Sequence, residues 1–560
     1  TATGTGGAVS SVDADATRVG LAVLRAGGNA ADAAVATAAA QGVTEPYSAG
    51  VGGGGFLVYY DAGSGQVQTI DGRETAPRAM TSTSFTENGV PLPFSDAVTS
   101  GLSVGVPGTP ATWTRALQRW GTMSLSEVLA GPTRLARDGF VVDQTFRDQT
   151  AANAARFARF TSTGKLFLPG GAPPAVGSTF TNRDLARTYE RLARDGDRWL
   201  YSGALGAQVV ETVQDPPQVE GSTYVARPGL MEKSDLRAYA AVDRAPTHVG
   251  YRGLDVYGMA PPSSGGSTVG EALNILERSD LSAMDGTQAL HHYLEASALA
   301  FADRNAYVGD PAEVDVPLDG LLSDDFAAER ACRIDPAKAA AKPVPAGAVD
   351  GSYDTDCDGI DDTTATGGDQ EGLSTTHLTV ADQWGNVAAY TLTIEQTGGS
   401  GIVVPGRGFL LNNELTDFNF TPTVPGDPNL PAPGKRPRSS MAPTILLDDG
   451  RPVLAVGSPG GSTIITTVLQ VLLNRLDLGM TLPEAVAAPR ASQRNTAAVQ
   501  AEPAFDRAGL AALGHTFVDP PAPGEIGAAT GIEVGPDGVL TAVAEPVRRG
   551  GGSAAVVDAE

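Results

Sequence analysis

The 560-residue sequence has few basic residues, few cysteines and no long apolar run. Its 39 lysines and arginines stand against 64 acidic residues, which gives a net charge of −25. Because phosphate binding needs a basic surface, this balance argues against a nucleic-acid-binding protein. No apolar run reaches about 18 residues, so no membrane-spanning helix is predicted. The two cysteines, Cys332 and Cys357, would form one disulfide in an exported protein and stay reduced in the cytosol.

The sequence also lacks an internal repeat and an initiating methionine. Without a repeat of about 20–50 residues, a solenoid or a propeller is excluded. The chain begins at Thr1 in "TATGTGG", which indicates a processed or engineered end. We therefore expect that an export signal has been removed and that the protein is secreted or periplasmic.

A helix-rich part and a strand-rich part are separated by an acidic segment. Asn29 is a predicted N-cap between two early helical patterns. The runs at 55–61 and 65–74 predict a β-hairpin. Residues from about 334 to 373 are small, polar and acidic and show no periodicity, which predicts a flexible segment. Regular structure is predicted to resume at Ser374.

Two threonines begin the strand that follows this segment. The strand-like runs at 375–381 and 387–394 flank "DQWGN", and this loop length places Thr375 opposite Thr393. A threonine hydroxyl is a weak nucleophile unless a base lies beside it, and the free amine of an N-terminal threonine can be that base. Cleavage between Ser374 and Thr375 would create this arrangement. The alternative is a pair of ordinary β-branched strand residues.

A glycine-rich turn downstream predicts an anion cradle. A strand pattern leads into Ser458-Pro459-Gly460-Gly461, and a helix begins near Ser462. Backbone N–H groups at a helix start, unobstructed by side chains, bind anions well. Placed near the threonine, they would form an oxyanion hole. The alternative is a tight turn that needs glycine only for its conformation.

Longer motifs follow one another along most of the chain. In order they are "GGNAADAAVA", "GVGGGGF", "DGRETAP", "VPGTPA", "LARDGF", "PPSSGG", "EASALAFADRNAYVGDP", "STTHLTVAD", "GFLLNNELTDF", "RPRSSMAPTI" and "GSPGGSTIITTVLQ". The set resembles the γ-glutamyltransferase family of N-terminal-nucleophile hydrolases. The resemblance implies an α/β (α+β) fold, a four-layer αββα sandwich, made as one self-cleaving precursor. Thr375 would attack the carbonyl of Ser374 and separate a large subunit, 1–374, from a small subunit, 375–560, and the two would pair as one structural domain.

The activity that the resemblance implies is that of a γ-glutamyltransferase and glutathione hydrolase. Thr375 would attack the γ-glutamyl amide of glutathione or a related peptide. Water or an acceptor amino acid would then resolve the γ-glutamyl-enzyme. No cofactor is expected. The natural donor, the ratio of hydrolysis to transfer and the oligomeric state stay open.

The resemblance also implies roles for individual residues. Thr393 would be the hydroxyl partner of Thr375, and Gly460 and Gly461 would form the oxyanion hole. Arg73 resembles the arginine that holds the substrate's α-carboxylate, for which a fork of donors is suited. The serine pair beside it and the acids that receive the α-ammonium would be Ser439, Ser440, Glu414 and Asp417.

Two features depart from the pattern of many family members. Glu395 stands where they have asparagine, and its charge would tighten the hold on an α-amine or reshape the pocket for another acyl group. The loop at 418–438 is proline-rich and shorter than in members with a lid. We therefore expect an open cleft that admits larger donors, such as γ-glutamyl peptides or poly-γ-glutamate.

The acidic segment has the spacing of some calcium loops. The alternating acids are Asp354, Asp356, Asp358 and Asp362, but Ala365 stands where an EF-hand has its glutamate. We predict no metal site, with calcium binding at this loop as the alternative.

Two other functions fit the same fold. A related acylase, which removes a glutaryl or similar side chain from a β-lactam nucleus, would share the cleavage and the nucleophile. It should lack acids for an α-ammonium, so Glu414 and Asp417 favour the γ-glutamyl function. An uncleaved relative would act only as a binding protein, and the intact set of catalytic residues argues against it.

Overall fold

The computed structural model describes residues 1–357, 362–363 and 374–558. Its strands are mostly short and antiparallel. In chain order they are Ala2–Gly4 (β1), Gly7–Ser11 (β2), Gly54–Asp61 (β3), Gln66–Asp71 (β4), Thr86–Glu87 (β5), Val90–Pro91 (β6), Phe140–Val141 (β7), Thr179–Phe180 (β8), Val242–Arg244 (β9), Thr247–Tyr251 (β10), Leu254–Gly258 (β11), Thr376–Asp382 (β12), Val387–Thr393 (β13), Thr444–Asp448 (β14), Arg451–Gly457 (β15), Ala491–Ser492 (β16), Val499–Ala501 (β17), Phe517–Val518 (β18), Thr530–Val534 (β19), Leu540–Ala544 (β20) and Ser553–Val556 (β21).

The helices range from one turn to 22 residues. Within the described part of the chain, no helix has both the length and the hydropathy needed to cross a bilayer. The α-helices are Ala14–Arg25 (α1), Ala30–Thr44 (α2), Phe94–Val98 (α3), Thr109–Arg119 (α4), Leu125–Asp138 (α5), Gln144–Phe157 (α6), Thr161–Phe167 (α7), Arg183–Asp195 (α8), Arg198–Tyr201 (α9), Ala204–Gln214 (α10), Lys233–Ala238 (α11), Gly265–Glu277 (α12), Gly286–Tyr307 (α13), Leu318–Leu321 (α14), Asp324–Ala331 (α15), Thr463–Leu476 (α16), Leu482–Ala487 (α17) and Ala508–Ala512 (α18).

Two seven-stranded antiparallel sheets form the centre of the molecule. The first, here called the hairpin sheet, has the strand order β21-β2-β12-β13-β3-β4-β9. The second sheet has the order β1-β20-β19-β15-β14-β11-β10. The β12–β13 hairpin therefore lies between β2 and β3 from the beginning of the chain, and β21 from its end pairs with β2 at the edge of the sheet.

The sheets stack face to face between two layers of helices. Alternate residues of a strand point to opposite faces. On β3, Leu57 and Tyr59 pack in a core with α1, α2, α5 and α8. Phe56 and Val58 pack instead in the core that holds the second sheet and α12, α13 and α16. The order of layers is therefore helix, sheet, sheet, helix, and the predicted αββα sandwich is confirmed.

Local signals of the sequence account for the early elements. The Asn29 side chain accepts hydrogen bonds from the N–H groups of Ala31 and Asp32, at 3.0 and 3.1 Å, and so caps α2 as predicted. Strands β3 and β4 pair as the predicted hairpin.

The β12–β13 hairpin has the predicted register. Ala381 pairs with Val387, and Thr376 pairs with Leu392. The loop is fixed by Asp382, whose carboxylate accepts hydrogen bonds from the N–H groups of Trp384 and Asn386 at 2.9 and 3.0 Å. This side chain sets the loop length on which the position of Thr375 depends.

The described part of the acidic segment is packed against the body of the protein. Val344 is buried, and its N–H donates to the Asn495 side chain at 2.7 Å. The N–H of Gly347 donates to Asp303 on α13 at 2.6 Å. The rest of the predicted flexible segment, 358–361 and 364–373, lies outside the described residues.

A disulfide joins Cys332, just after α15, to Cys357. Of the proposed calcium ligands, Asp358 lies outside the described residues. Asp362 instead forms an ion pair with Arg330 at 3.2 Å and a second with Arg333. This carboxylate is therefore engaged by two guanidinium groups.

Candidate active site

The threonine pair lies where β12 and β13 end side by side. Thr375 Oγ1 is 3.3 Å from Thr393 Oγ1, as the register predicts, and is also hydrogen-bonded to the carbonyl oxygen of Ser374. Thr393 Oγ1 lies 3.2 Å from the same carbonyl oxygen and accepts a hydrogen bond from the N–H of Glu395 at 2.9 Å. A hydroxyl that can attack and a carbonyl that it can attack are thus held together by Thr393.

The residue before Thr375 is also fixed. Ser374 Oγ donates to the carbonyl of Tyr47 at 3.1 Å and lies 2.9 Å from Ser48 Oγ. Both partners follow α2, which places the N-terminal half of the chain beside the Ser374–Thr375 bond.

Arg549, which sequence reasoning missed, holds the carbonyl of Thr375. Its Nη1 donates to that oxygen at 2.5 Å. Its Nη2 donates to Ser48 Oγ at 2.8 Å and to Glu45 at 3.1 Å. Burial raises the pKa of Glu45 to about 7, although the nearby guanidinium of Arg549 opposes the shift. No local pattern could have found this contact, because Glu45 and Arg549 are 504 residues apart.

The glycine turn joins the end of β15 to α16. Gly460 and Gly461 have φ angles of 137° and 56°, which side chains other than hydrogen rarely permit. Gly461 lines the same pocket as Thr375, and Gly460 lines the cleft that adjoins it. The turn therefore brings peptide groups at a helix start to the pocket that Thr375 lines, a position in which they could bind an anion.

His377 ties the hairpin sheet to the second sheet. Its Nδ1 lies 2.8 Å from Thr391 Oγ1, and its Nε2 lies 3.1 Å from Thr379 Oγ1. Complete burial lowers its pKa to about 3, so the ring is neutral. The ring fits over Gly457, where a Cβ atom would lie 2.2 Å from the ring Cε1. These contacts give His377, which lies two residues after Thr375 on β12, a structural role.

Thr375 lines a charged pocket. The guanidinium, carboxylate and hydroxyl groups of this pocket come from five separate stretches of sequence. Every predicted site residue except Gly460 lines it, together with Met441 and Ile464: Arg73, Ser374, Thr375, Thr393, Glu395, Glu414, Asp417, Ser439, Ser440 and Gly461.

Arg73 is the centre of this pocket. It is 1% exposed, and its two Nη atoms form ion pairs with Glu414 and Asp417. Its Nε donates to the carbonyl of Pro437 at 3.1 Å, and Nη2 also donates to the carbonyl of Arg438 at 2.8 Å. Four of the five N–H donors of a guanidinium are thus engaged. From the sequence, Arg73 and the two acids are expected to make separate contacts with a substrate, whereas in the structure they form one unit.

Glu74, the next residue, was not predicted as part of the site. It is completely buried. Burial and the negative charge of Glu414 raise its pKa well above the usual range, with partial compensation from Arg73. The raised pKa favours the protonated form of the Glu74 side chain next to the Arg73–Glu414–Asp417 unit.

Glu395 reaches the pocket from the end of β13. Its φ angle is 79°, a left-handed conformation that is uncommon for a residue with a side chain. Its carboxylate accepts a hydrogen bond from the amide of Asn413, the residue before Glu414. Glu395, which stands where many family members have asparagine, therefore places a further acid beside the Arg73–Glu414–Asp417 unit.

A wide cleft of about 970 Å³ opens next to the charged pocket and shares Ser374 with it. Residues 418–438 supply none of the described residues that line this cleft. They pack beside the pocket instead, where Asn429 donates to the carbonyl of Asp417 at 2.7 Å. Both findings agree with the expectation of an open site.

A second cluster of ligand-type residues lies away from the pocket. His291 Nδ1 is 2.8 Å from His515 Nε2, and Glu295 lies close to both. The ammonium of Lys342 is 2.7 Å from Glu295. These groups balance one another in charge, since a Lys–Glu pair lies beside two histidines whose pKa values burial lowers.

Comparison with known proteins places the chain among enzymes with this architecture. The family model described as "Gamma-glutamyltranspeptidase" matches residues 16–555. The chain is 38% identical to the glutathione hydrolase proenzyme of Bacillus subtilis (strain 168), over 98% of this chain and 91% of that protein. It is 37% identical to the glutathione hydrolase proenzyme of Escherichia coli (strain K12), over 96% and 90%.

A solved structure gives the same result for the fold. The crystal structure of a cephalosporin acylase from Bacillus halodurans superimposes with a TM-score of 0.87 at 29% identity, over all of this chain and 97% of that one. Family model, relatives and structure agree over nearly the whole length. The chain belongs to the gamma-glutamyltranspeptidase family.

Proposed function

We propose that the protein is a self-cleaving γ-glutamyl hydrolase and transferase with Thr375 as its nucleophile. One observation carries the proposal: the Thr375 hydroxyl and the Arg73–Glu414–Asp417 unit line the same small pocket. A γ-glutamyl group carries an ammonium and a carboxylate at the end remote from its amide carbon. A pocket with fixed charges of both signs at one end and a hydroxyl nucleophile at the other matches that group.

The first reaction is cleavage of the chain itself. Thr375 Oγ1 attacks the carbonyl carbon of Ser374. Thr393 Oγ1 donates a hydrogen bond to the oxygen of the same carbonyl at 3.2 Å. The C–N bond between Ser374 and Thr375 breaks, and its nitrogen takes up a proton to become the α-amine of Thr375. Water hydrolyses the resulting ester and leaves a free Thr375 hydroxyl and a Ser374 carboxylate. Arg549 holds the carbonyl of Thr375 and so restrains the nucleophile through both steps.

The second reaction is turnover of a γ-glutamyl donor. The free amine of Thr375 accepts the hydroxyl proton as Oγ1 attacks the amide carbon of the donor. The negative charge that develops on the carbonyl oxygen is stabilised by the peptide groups of Gly460 and Gly461. The leaving amine takes the proton and departs. Water or an acceptor amine then attacks the γ-glutamyl ester on Thr375.

Recognition of the donor follows from the pairing of Arg73. Since its guanidinium holds Glu414 and Asp417 in place, the two carboxylates are aligned to receive the α-ammonium, with Glu395 adding to the negative charge. The α-carboxylate is bound by the serine pair, Ser439 and Ser440, and by the remaining donor of Arg73. The open cleft beside Ser374 receives the leaving group, such as the remainder of glutathione or of a longer γ-glutamyl peptide.

A secreted or periplasmic location is part of the proposal. The disulfide between Cys332 and Cys357 supports it, because disulfides persist in oxidising compartments.

The test begins with a denaturing gel and N-terminal sequencing of the purified protein. Two fragments, the smaller starting Thr-Thr-His, are expected. The same sample is then assayed with γ-glutamyl anilide and with glutaryl anilide, which differ only in the α-amine. Preference for the γ-glutamyl compound supports the proposal, whereas preference for the glutaryl compound favours the acylase function, for which the similarity to a cephalosporin acylase provides the reason. A single uncut chain without either activity would overturn the proposal.

A further inference from the structure

Behind the serine pair lies a buried arginine to which the mechanism above gives no role. Arg304 belongs to α13 and is 1% exposed. Its Nη2 donates to Ser440 Oγ at 2.8 Å, and its Nε donates to Ser264 Oγ at 2.7 Å. Ser264 Oγ in turn donates to the carbonyl of Ser439 at 2.7 Å. Arg304 is therefore connected to both serines of the pair, to one directly and to the other through Ser264.

The direct contact determines the direction of the Ser440 hydroxyl. A guanidinium has donors only, whereas a hydroxyl has one proton to donate and lone pairs to accept with. Ser440 Oγ must therefore accept from Arg304, and its own proton is left for another acceptor. The Ser439 hydroxyl is also left with its proton to donate, because its oxygen accepts a hydrogen bond from the N–H of Met441 at 3.2 Å. Both hydroxyls line the pocket and can act there as donors.

Two aligned O–H donors match a carboxylate better than a carboxamide. A carboxylate offers only acceptors, so both of its oxygens can accept from the serine hydroxyls. A carboxamide has an NH₂ group in place of one oxygen, and this donor would face the donated proton of a serine hydroxyl without an acceptor between them. A cation that donates to one of the serine hydroxyls strengthens the preference for a carboxylate. The positive charge polarises the hydroxyl, which then makes a stronger hydrogen bond to a negatively charged acceptor. Arg304, whose Nη2 donates to Ser440 Oγ at 2.8 Å, is such a cation.

We propose that Arg304 is a positioning residue that fixes Ser440 as a donor and so makes the enzyme selective for γ-glutamyl donors with a free α-carboxylate. The inference rests on the proposed function. It assigns the distinction between a carboxylate and its neutral amide to a residue that does not itself contact the substrate.

The experiment compares two substrates, γ-glutamyl anilide and its α-carboxamide counterpart, on wild type and variants. Arg304→Met removes all donors and keeps most of the side-chain volume. We expect kcat/KM for the carboxylate substrate to fall roughly 10- to 100-fold, mainly through KM, with less than about a threefold change for the carboxamide. Arg304→Lys should give a smaller loss. Ser440→Ala combined with Arg304→Met should lower kcat/KM little more than either change alone, since both remove one interaction.

Arg330→Met is the matched control. Arg330 is equally buried, on neighbouring α15, but pairs with Asp303 and does not contact the serines. It should lower stability without changing the ratio of the two kcat/KM values. Ser264→Ala, which removes only one anchor of Arg304, is a milder variant for the case that Arg304→Met does not fold, and it should shift the ratio in the same direction.

The outcomes separate the inference from the function on which it rests. A wild type that does not cleave the γ-glutamyl substrate overturns the proposed function. A wild type that cleaves it, with Arg304→Met and Ser264→Ala variants that keep the full preference for the carboxylate, overturns the role of Arg304. Equal losses on both substrates would show that Arg304 only supports the fold, and would overturn it as well.

Discussion

The two ends of the candidate site are built in different ways. At the nucleophile end, neutral hydroxyls and carbonyls meet within one hairpin, and Thr375 and Thr393 are 18 residues apart. At the recognition end, buried charges meet from distant parts of the chain, and Arg73 is 341 residues from Glu414. The first end depends on strand register, and the second depends on the assembly of the whole sandwich.

This difference determines what each end contributes. In the proposed function, the nucleophile end is needed for cleavage of the chain and for turnover, because both reactions would attack a carbonyl with the same hydroxyl. The recognition end would matter only for turnover, since the fold itself presents the bond between Ser374 and Thr375. Substitutions at the two ends should therefore give different pairs of effects on cleavage and on activity.

The largest effect is expected for Thr375→Ala. It removes the only group proposed to attack, so cleavage and γ-glutamyl turnover should both fall to background. A gel and the anilide assay on the same preparation measure the two effects. Thr376→Ser is the matched control, because Thr376 is also buried on β12 but bonds to Gln41 outside the pocket. A Thr375→Ala protein that is still cut after Ser374 would disprove the assignment.

Asp417→Asn should lower substrate turnover without affecting cleavage of the chain, and so separate the contributions of the two ends. The change keeps the shape of the side chain but leaves Arg73 with one acid and weakens the site for an α-ammonium. We expect kcat/KM for γ-glutamyl anilide to fall roughly 100-fold, given ~2–5 kcal/mol for one partner of a buried charge pair, with cleavage of the chain unchanged.

Glutaryl anilide is the control substrate for Asp417→Asn, since it has no α-amine and should lose much less. Asp427→Asn is the control variant, because Asp427 is buried in the neighbouring loop and bonds to Asn419. Loss of chain cleavage in Asp417→Asn would contradict the separation of the two ends.

The sequence predicts the nucleophile end better than the recognition end for a physical reason. Hairpin register follows from loop length, so the position of Thr393 opposite Thr375 could be worked out from local pattern. The pairing of Arg73 with Glu414 and Asp417 could not, because ion pairs between distant segments depend on how the layers stack. Arg549 and Arg304 were missed for the same reason, and no periodicity marks either.

Thr393→Val tests the hydroxyl at the nucleophile end with a smaller effect. Valine keeps the shape but removes the hydrogen bonds to Thr375 Oγ1 and to the carbonyl of Ser374. We expect both the rate of chain cleavage and kcat to fall roughly tenfold or more, since each lost hydrogen bond costs ~0.5–1.5 kcal/mol. Thr393→Ser should restore most of both rates. An effect on turnover alone would argue that Thr393 acts after cleavage only.

The smallest effect concerns His377, which joins the sheets behind the nucleophile. Its pKa is about 3 in the folded state, whereas an unfolded histidine titrates near ~6.5. Between these values the unfolded state binds the extra proton, so the contribution of His377 to stability is lost as the pH falls from about 6.5 toward 3. The slope cannot exceed ~1.4 kcal/mol per pH unit for one group.

His377→Gln should therefore unfold more easily at pH 7.5, and its deficit relative to the parent should shrink at pH 5. Urea unfolding midpoints at both values measure this, in a Thr375→Ala background that keeps the chain in one piece. His248→Gln is the control, because His248 lies half-exposed on β10 and far from the hairpin in sequence. An equal deficit at both pH values would mean that His377 stabilises the sheet contact by packing over Gly457 alone, without a cost of protonation.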